Sequence, residues 1–186
     1  DTCTKDYLER ILRLKPEFSE GLQGLAYSSG RSGLSPRLVA QALDLTQKIL
    51  RGTYRYSNGE EQIVLEDGKY VKINFSSSGQ QECVWILNLL FYYLVQQKEI
   101  LFIIEEPESH LFPESQKYIT ELIALVNNCG HSIVLTTHSP YVLGTLNNLL
   151  YAKTISPQAR KEANKIIRES LWLDYNAFDS WFVKNG

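Results

Sequence analysis

Apolar positions recur at helical spacing from Lys5 to Leu14, where Tyr7, Leu8, Ile11, Leu12 and Leu14 form a run that Pro16 stops. Residues 27–33 are rich in Gly and Ser and read as a flexible loop. Ser35-Pro36 then supplies an N-cap and a first-turn proline for a helix reaching about Arg51, with Leu38, Ala42, Leu45 and Ile49 on one stripe. Beyond it the period changes to that of strands. Thr53 to Tyr56, Gln62 to Glu66 and Tyr70 to Phe75 are joined by Asn58-Gly59 and Asp67-Gly68, which predicts an antiparallel meander. From Val84 to Val95 the chain is apolar almost all round, the pattern of a buried helix.

The second half alternates strand and helix. Ile100 to Ile104 is a continuous apolar run, expected to be a central parallel strand buried on both faces. Pro113 to Asn127 reads as an amphipathic helix closed by Asn128-Cys129-Gly130, and Ser132 to Leu135 as a second buried strand. Ser139-Pro140 opens a helix to about Leu150. This order implies an α/β fold with a parallel sheet and right-handed crossovers. A charged amphipathic helix is expected from Pro157 to Ser170. The aromatic segment Leu171 to Val183 reads as completing the core, with a partner surface as the alternative. Trp181 to Gly186 has the look of a strand entering an Asn-Gly turn, and no internal repeat is visible.

Composition narrows the possibilities. With 186 residues, 44% apolar and 22% charged, the chain has material for one substantial core. Its net charge of −2, from 19 basic and 21 acidic residues, gives no global positive field to attract nucleic acid. Cys3, Cys83 and Cys129 are far apart and show no metal or redox spacing, which suits a reducing cytoplasm. No apolar run reaches the roughly 18 to 20 residues of a membrane-spanning helix. The chain starts at Asp1 and contains no Met, so it reads as an excised or processed piece with both ends cut.

Three polar groups stand where chemistry is expected. Glu105-Glu106 follows the first apolar strand, and ligands of parallel α/β sheets sit beyond the carboxyl ends of the strands. One such carboxylate can help hold Mg²⁺ and the next can polarise an attacking water, unless the pair is simply solvated in a loop. His138 follows Ile133 to Thr137 in the same way and can donate to a terminal phosphate, or merely cap the helix behind it. Ser76-Ser77-Ser78-Gly79-Gln80 opens the long apolar helix, where free N–H groups and the helix dipole favour an anion, or where a Ser-rich cap suffices.

The series SSSGQQE, long helix, ILFIIEEPE, helix, IVLTTHSP resembles the ABC ATPase succession of signature motif, Walker B with catalytic glutamate, and switch histidine, over roughly Phe75 to Leu150. The meander before it resembles the antiparallel lobe of chromosome-maintenance and recombination ATPase heads. The resemblance implies a P-loop NTPase-like sheet with flanking helices and an antiparallel, helical signature subdomain. Residues 1–75 would precede the signature, and 76–186 would carry signature, Walker B and switch. It also implies ATP and Mg²⁺ as cofactors, with Glu105 as the metal-linked acid, Glu106 as general base and His138 as switch histidine. Ser77, Ser78, Gly79 and Gln80 would face a nucleotide held by a second ATPase head, the expected partner.

The departures are specific. Glu105 stands where Walker B usually has Asp, and Ser78 where the signature usually has Gly. Pro107-Glu108-Ser109-His110-Leu111-Phe112-Pro113 differs from a transporter D-loop and, with Thr137-His138-Ser139-Pro140, resembles the overcoming-lysogenization-defect nucleases and related prokaryotic ATPases, many linked to phage defence. No GxxxxGK[ST] string occurs, so the P-loop is expected before Asp1 and the chain alone is expected to be inactive. The expected parent is a cytoplasmic, DNA-repair or phage-defence ATPase that touches DNA through other parts. A non-catalytic interaction module and a transport ATPase are the alternatives.

Overall fold

In the computed structural model, residues 2–28, 33–96 and 98–184 are described. Four residues of the loop expected at 27–33, namely 29–32, and the Asn185-Gly186 turn lie outside them, as does the side chain of Cys3. Helix α1 (Thr2–Leu14) runs into a 3₁₀ turn (Lys15–Phe18), with Pro16 near its start, and α2 (Gly21–Ser28) follows, so Tyr27 and Ser28 are helical rather than loop. Helix α3 (Pro36–Leu50) ends at Arg51, whose φ of 52° is a left-handed cap. The meander forms as β1 (Thr53–Ser57), β2 (Glu60–Val64) and β3 (Tyr70–Lys72), with Tyr54 opposite Ile63 and Ile63 opposite Val71. The third strand is shorter than its sequence suggests, because Ile73–Phe75 coils into a 3₁₀ turn that leads to the next helix.

Helix α4 (Ser78–Gln96) is buried along Val84, Leu87, Leu90, Phe91 and Leu94, as its all-round apolar sequence predicts. A cluster of rings seals it to the meander. Phe18, Tyr54 and Trp85 meet edge to face with centroids 5.6 to 5.8 Å apart. Beneath them Glu61 accepts from the Tyr54 hydroxyl at 3.0 Å, the Trp85 indole at 2.8 Å and Lys15 at 2.7 Å. One carboxylate thus ties the turn after α1, both strands of the first hairpin and α4 together. Burial, with Glu61 adding to it, pushes the Tyr54 phenol far up from its ordinary range.

Strand β4 (Leu101–Glu105) pairs in parallel with β5 (Ser132–Thr136), and α5 (Pro113–Asn128) makes the crossover. Helix α5 is more deeply sunk than an amphipathic pattern predicts: Ile119 to Val126 are all buried, including Thr120 and Glu121. The reason is its position, since it packs against α3, α4 and α6 (Pro140–Thr154) together. The two apolar strands depart from expectation in the opposite sense. Leu101, Ile103 and Val134 are 59%, 73% and 52% exposed, so only the Ile104 side of the sheet is covered.

The C-terminal part is also less regular than its composition suggests. Helix α7 is confined to Arg160–Ile166 and buries no residue, because its charged sequence offers too little apolar surface to dock. Leu171, Trp172 and Leu173 enter the core, whereas Trp181, Phe182 and Val183 are exposed and form no strand. Core completion therefore holds for Leu171 to Leu173, with Phe178 packed half-buried against the core. Among the described residues, no helix is long and apolar enough to cross a membrane, and Cys83 and Cys129 are free thiols.

Candidate functional site

Because β4 and β5 are parallel and in register, with Glu105 opposite Thr136, their exits lie side by side. The Glu106 N–H crosses to the Thr136 carbonyl at 3.0 Å. Glu106 then turns sharply with φ 41°, a left-handed conformation that costs a non-glycine residue roughly 1–2 kcal/mol. This turn swings its carboxylate toward the second loop. Glu106 Oε1 stands 3.3 Å from His138 Nε2, and the Ser109 hydroxyl donates to Glu106 Oε2 at 3.3 Å. The acid and the histidine, read from separate motifs 32 positions apart in the numbering, therefore meet. Both are solvent-exposed, so the pair is an accessible polar site rather than a stabilising ion pair.

Glu105 points elsewhere. Alternation along β4 puts it on the same face as exposed Leu101 and Ile103, at the tip of the uncovered side of the sheet. Among the described residues, no group of three or more His, Cys, Asp or Glu side chains could enclose a metal. A single exposed carboxylate such as Glu105 is compatible with Mg²⁺, which is commonly held by one or two carboxylates together with phosphate oxygens and waters.

At the start of α4, Ser77 and Gln80 form a reciprocal capping box. The Gln80 N–H donates to Ser77 Oγ at 3.3 Å, and the Ser77 N–H donates to Gln80 Oε1 at 3.0 Å. The other end of the Gln80 amide donates to the Leu50 carbonyl at the end of α3, at 2.7 Å. Gly79 is buried against the loop after β4: a Cβ there would lie 2.5 Å from the His110 carbonyl oxygen. His110 itself has φ 57°, and its ring approaches Glu82 at 3.5 Å. Of the four signature residues, Ser77 and Ser78 are exposed, but the Ser77 hydroxyl also donates to Gln80 Oε1 at 3.0 Å, and Gly79 and the Gln80 side chain are committed within the chain.

Reading the motifs did not single out Glu108, which the structure places between the two loops. Its Oε1 accepts from the Thr137 hydroxyl, from the His138 N–H at 3.1 Å and from the Ser139 N–H at 3.2 Å. The signals in the sequence were its position two residues after Glu106 and its place in the Pro107–Pro113 wording, neither of which gave Glu108 a role.

In the comparison with known families, residues 6–143 match the AAA ATPase domain. The chain belongs to that family. Its mixed α/β architecture, with a parallel strand pair and flanking helices, is consistent with a P-loop NTPase-like fold. This AAA ATPase domain is also 31% identical over 98 residues to the cytochrome c biogenesis ATP-binding export protein CcmA of Bartonella quintana (strain Toulouse). The alignment covers 53% of this chain and 45% of that protein, so the chain spans less than half the length of the relative.

Proposed function

We propose that this domain supplies the signature, Walker B and switch parts of an ABC-type ATPase whose ATP is hydrolysed between two heads, in a DNA-repair or phage-defence system. The observation that carries the reading is the 3.3 Å approach of Glu106 to His138 at adjacent strand exits, with Ser77 and Ser78 exposed at the start of α4. Glu106, as general base, takes a proton from the attacking water. His138 donates from its ring to the terminal phosphate and orients it. Ser78 presents its hydroxyl, and the start of α4 its dipole, to a nucleotide on the partner head, with Ser77 joining if its hydroxyl leaves Gln80. Mg²⁺, when bound beside Glu105, supplies charge neutralisation on the phosphates.

The phosphate cradle itself is proposed to come from a P-loop segment outside these residues. The uncovered apolar face ending in Glu105 supports this, because a segment packed on Leu101, Ile103 and Val134 would bring its phosphate loop next to that acid. The wording from Pro107 to Pro113 favours the phage-defence ATPases over the transport ATPases. The reaction would take place in the cytoplasm, with any DNA contact made by other parts of the parent protein.

In the parent ATPase, Glu106→Gln is expected to lower turnover by about 10²- to 10⁴-fold while nucleotide affinity is kept, because a base is lost and the cradle is not. Steady-state hydrolysis near the unmodified rate would remove Glu106 from the mechanism. The 186-residue chain alone is expected to bind Mg-ATP only weakly, and micromolar affinity by calorimetry would refute the division of labour.

A further inference from the structure

Glu108 is 7% exposed, and one of its oxygens gathers three donors from residues 137–139. Its other oxygen, Oε2, is buried with no hydrogen-bond partner, and no cationic side chain pairs with it among the described residues. A carboxylate sequestered in this way is costly, and the concentration of donors together with the N-terminal end of α6 offsets the cost. Helix capping alone does not account for the contact. Ser139 already caps α6, its hydroxyl oxygen accepting from the N–H groups of Tyr141 and Val142 at 3.1 and 3.3 Å. Glu108 instead grips the backbone one step earlier, at the N–H of His138 itself.

The consequence falls on the pair at the surface. The His138 side chain is 88% exposed and approaches Glu106 at 3.3 Å, so the course of its backbone largely decides where the ring stands. Glu106 belongs to the loop that also contains Glu108, and its N–H is bonded to Thr136. Thus the loop that carries the acid also holds the turn that carries the histidine.

We propose that Glu108 is a positioning residue for the Glu106–His138 pair: by binding Thr137, His138 and Ser139 it keeps the histidine turn in register with the acidic turn. Its functional meaning rests on reading that pair as the hydrolytic site, but its geometry is open to test without turnover. Gln at 108 retains an oxygen to accept the three donors and replaces only the unpartnered oxygen; Ala removes the grip altogether.

The test uses the isotope-labelled 186-residue chain and reads the His138 ring resonances by NMR before and after Glu106→Gln, in three backgrounds: unmodified, Glu108→Gln and Glu108→Ala. The expected result is a clear displacement of the His138 Hε1 signal in the first two and its loss in the third. The core resonances of Glu108→Ala should stay in place, and amide exchange at His138 and Ser139 should quicken. An undiminished response in the Glu108→Ala background would overturn the proposal, as would the absence of a response in the unmodified one. Should Glu108→Ala fail to fold, Thr137→Val removes one donor of the three; a weakened response supports the proposal and an unchanged one overturns it. Hydrolysis is read separately in the parent ATPase, where a lack of activity would defeat the functional reading while the ring response still decides the part played by Glu108.

Discussion

Strands β2 and β4 are each five residues long, with Ile63 the fourth residue of β2 and Ile103 and Ile104 the third and fourth of β4. Ile63 in β2 is 1% exposed, whereas Ile103 in β4 is 73% exposed. Judged by composition the order should be reversed, because β2 reads Glu-Glu-Gln-Ile-Val and β4 reads Leu-Phe-Ile-Ile-Glu. What differs is the neighbourhood. Ile63 belongs to the core cluster that joins the meander to α4, and Gly52 packs so closely that a Cβ there would come within 2.7 Å of Ile63 Cγ2. Ile103 faces away from every helix that covers its sheet. Burial is a property of what packs against a strand, and the most apolar segment of this chain shows it.

The largest effect that would test this contrast is Ile63→Ala, expected to lower the unfolding free energy by about 2–5 kcal/mol through lost burial and a residual cavity, measured by urea denaturation. Next is Glu61→Ala, expected to cost about 2–3 kcal/mol because it strands the Tyr54 hydroxyl and Trp85 indole, with Glu61→Gln recovering part of the loss. If Glu61→Ala were neutral, the rings alone would be holding the meander to α4.

A smaller effect concerns the base of the parallel sheet. Burial lowers the pKa of His131, whose Nδ1 has no partner, so the fold favours its neutral form. The unfolded chain binds the proton more readily. The associated stability is therefore present above the ordinary histidine pKa of about 6.5 and is lost as pH falls through the lower folded value. Melting temperature should decline over that window, and His131→Gln should flatten the decline; an unchanged slope would exclude His131 as the cause. Smallest of all is Ile103→Ala, expected to change the stability of this chain by no more than about 0.5 kcal/mol. A loss matching that of Ile63→Ala would mean that the β4 face is covered in solution.

Much of the secondary structure was legible because its signals are local. Ser35-Pro36, Asn58-Gly59, Asp67-Gly68 and Ser139-Pro140 mark the boundaries at which α3, the two hairpin turns and α6 occur. The candidate site was legible as far as residue type at a strand exit can be read, which was enough to single out Glu105, Glu106 and His138. It was not enough to separate the exposed Ser77 and Ser78 from the inward-facing Gly79 and Gln80, because that depends on the approach of His110 and the end of α3. The grip of Glu108 was invisible for the same reason, although its segment was singled out by resemblance. Its three donors come from residues 29 to 31 positions away, and no local pattern marks such a contact.

By itself the sequence determined which segments are helix and strand over most of the chain, and which acidic and imidazole groups lie at strand ends. These follow from side-chain period, cap chemistry and turn residues, all acting within a few positions. Only the tertiary structure decided that Glu106 and His138 meet, that Glu108 holds the turn between them, and that one face of the apolar strand pair is bare. Each of these depends on which surfaces pack together, and packing joins residues that the order of the chain keeps apart.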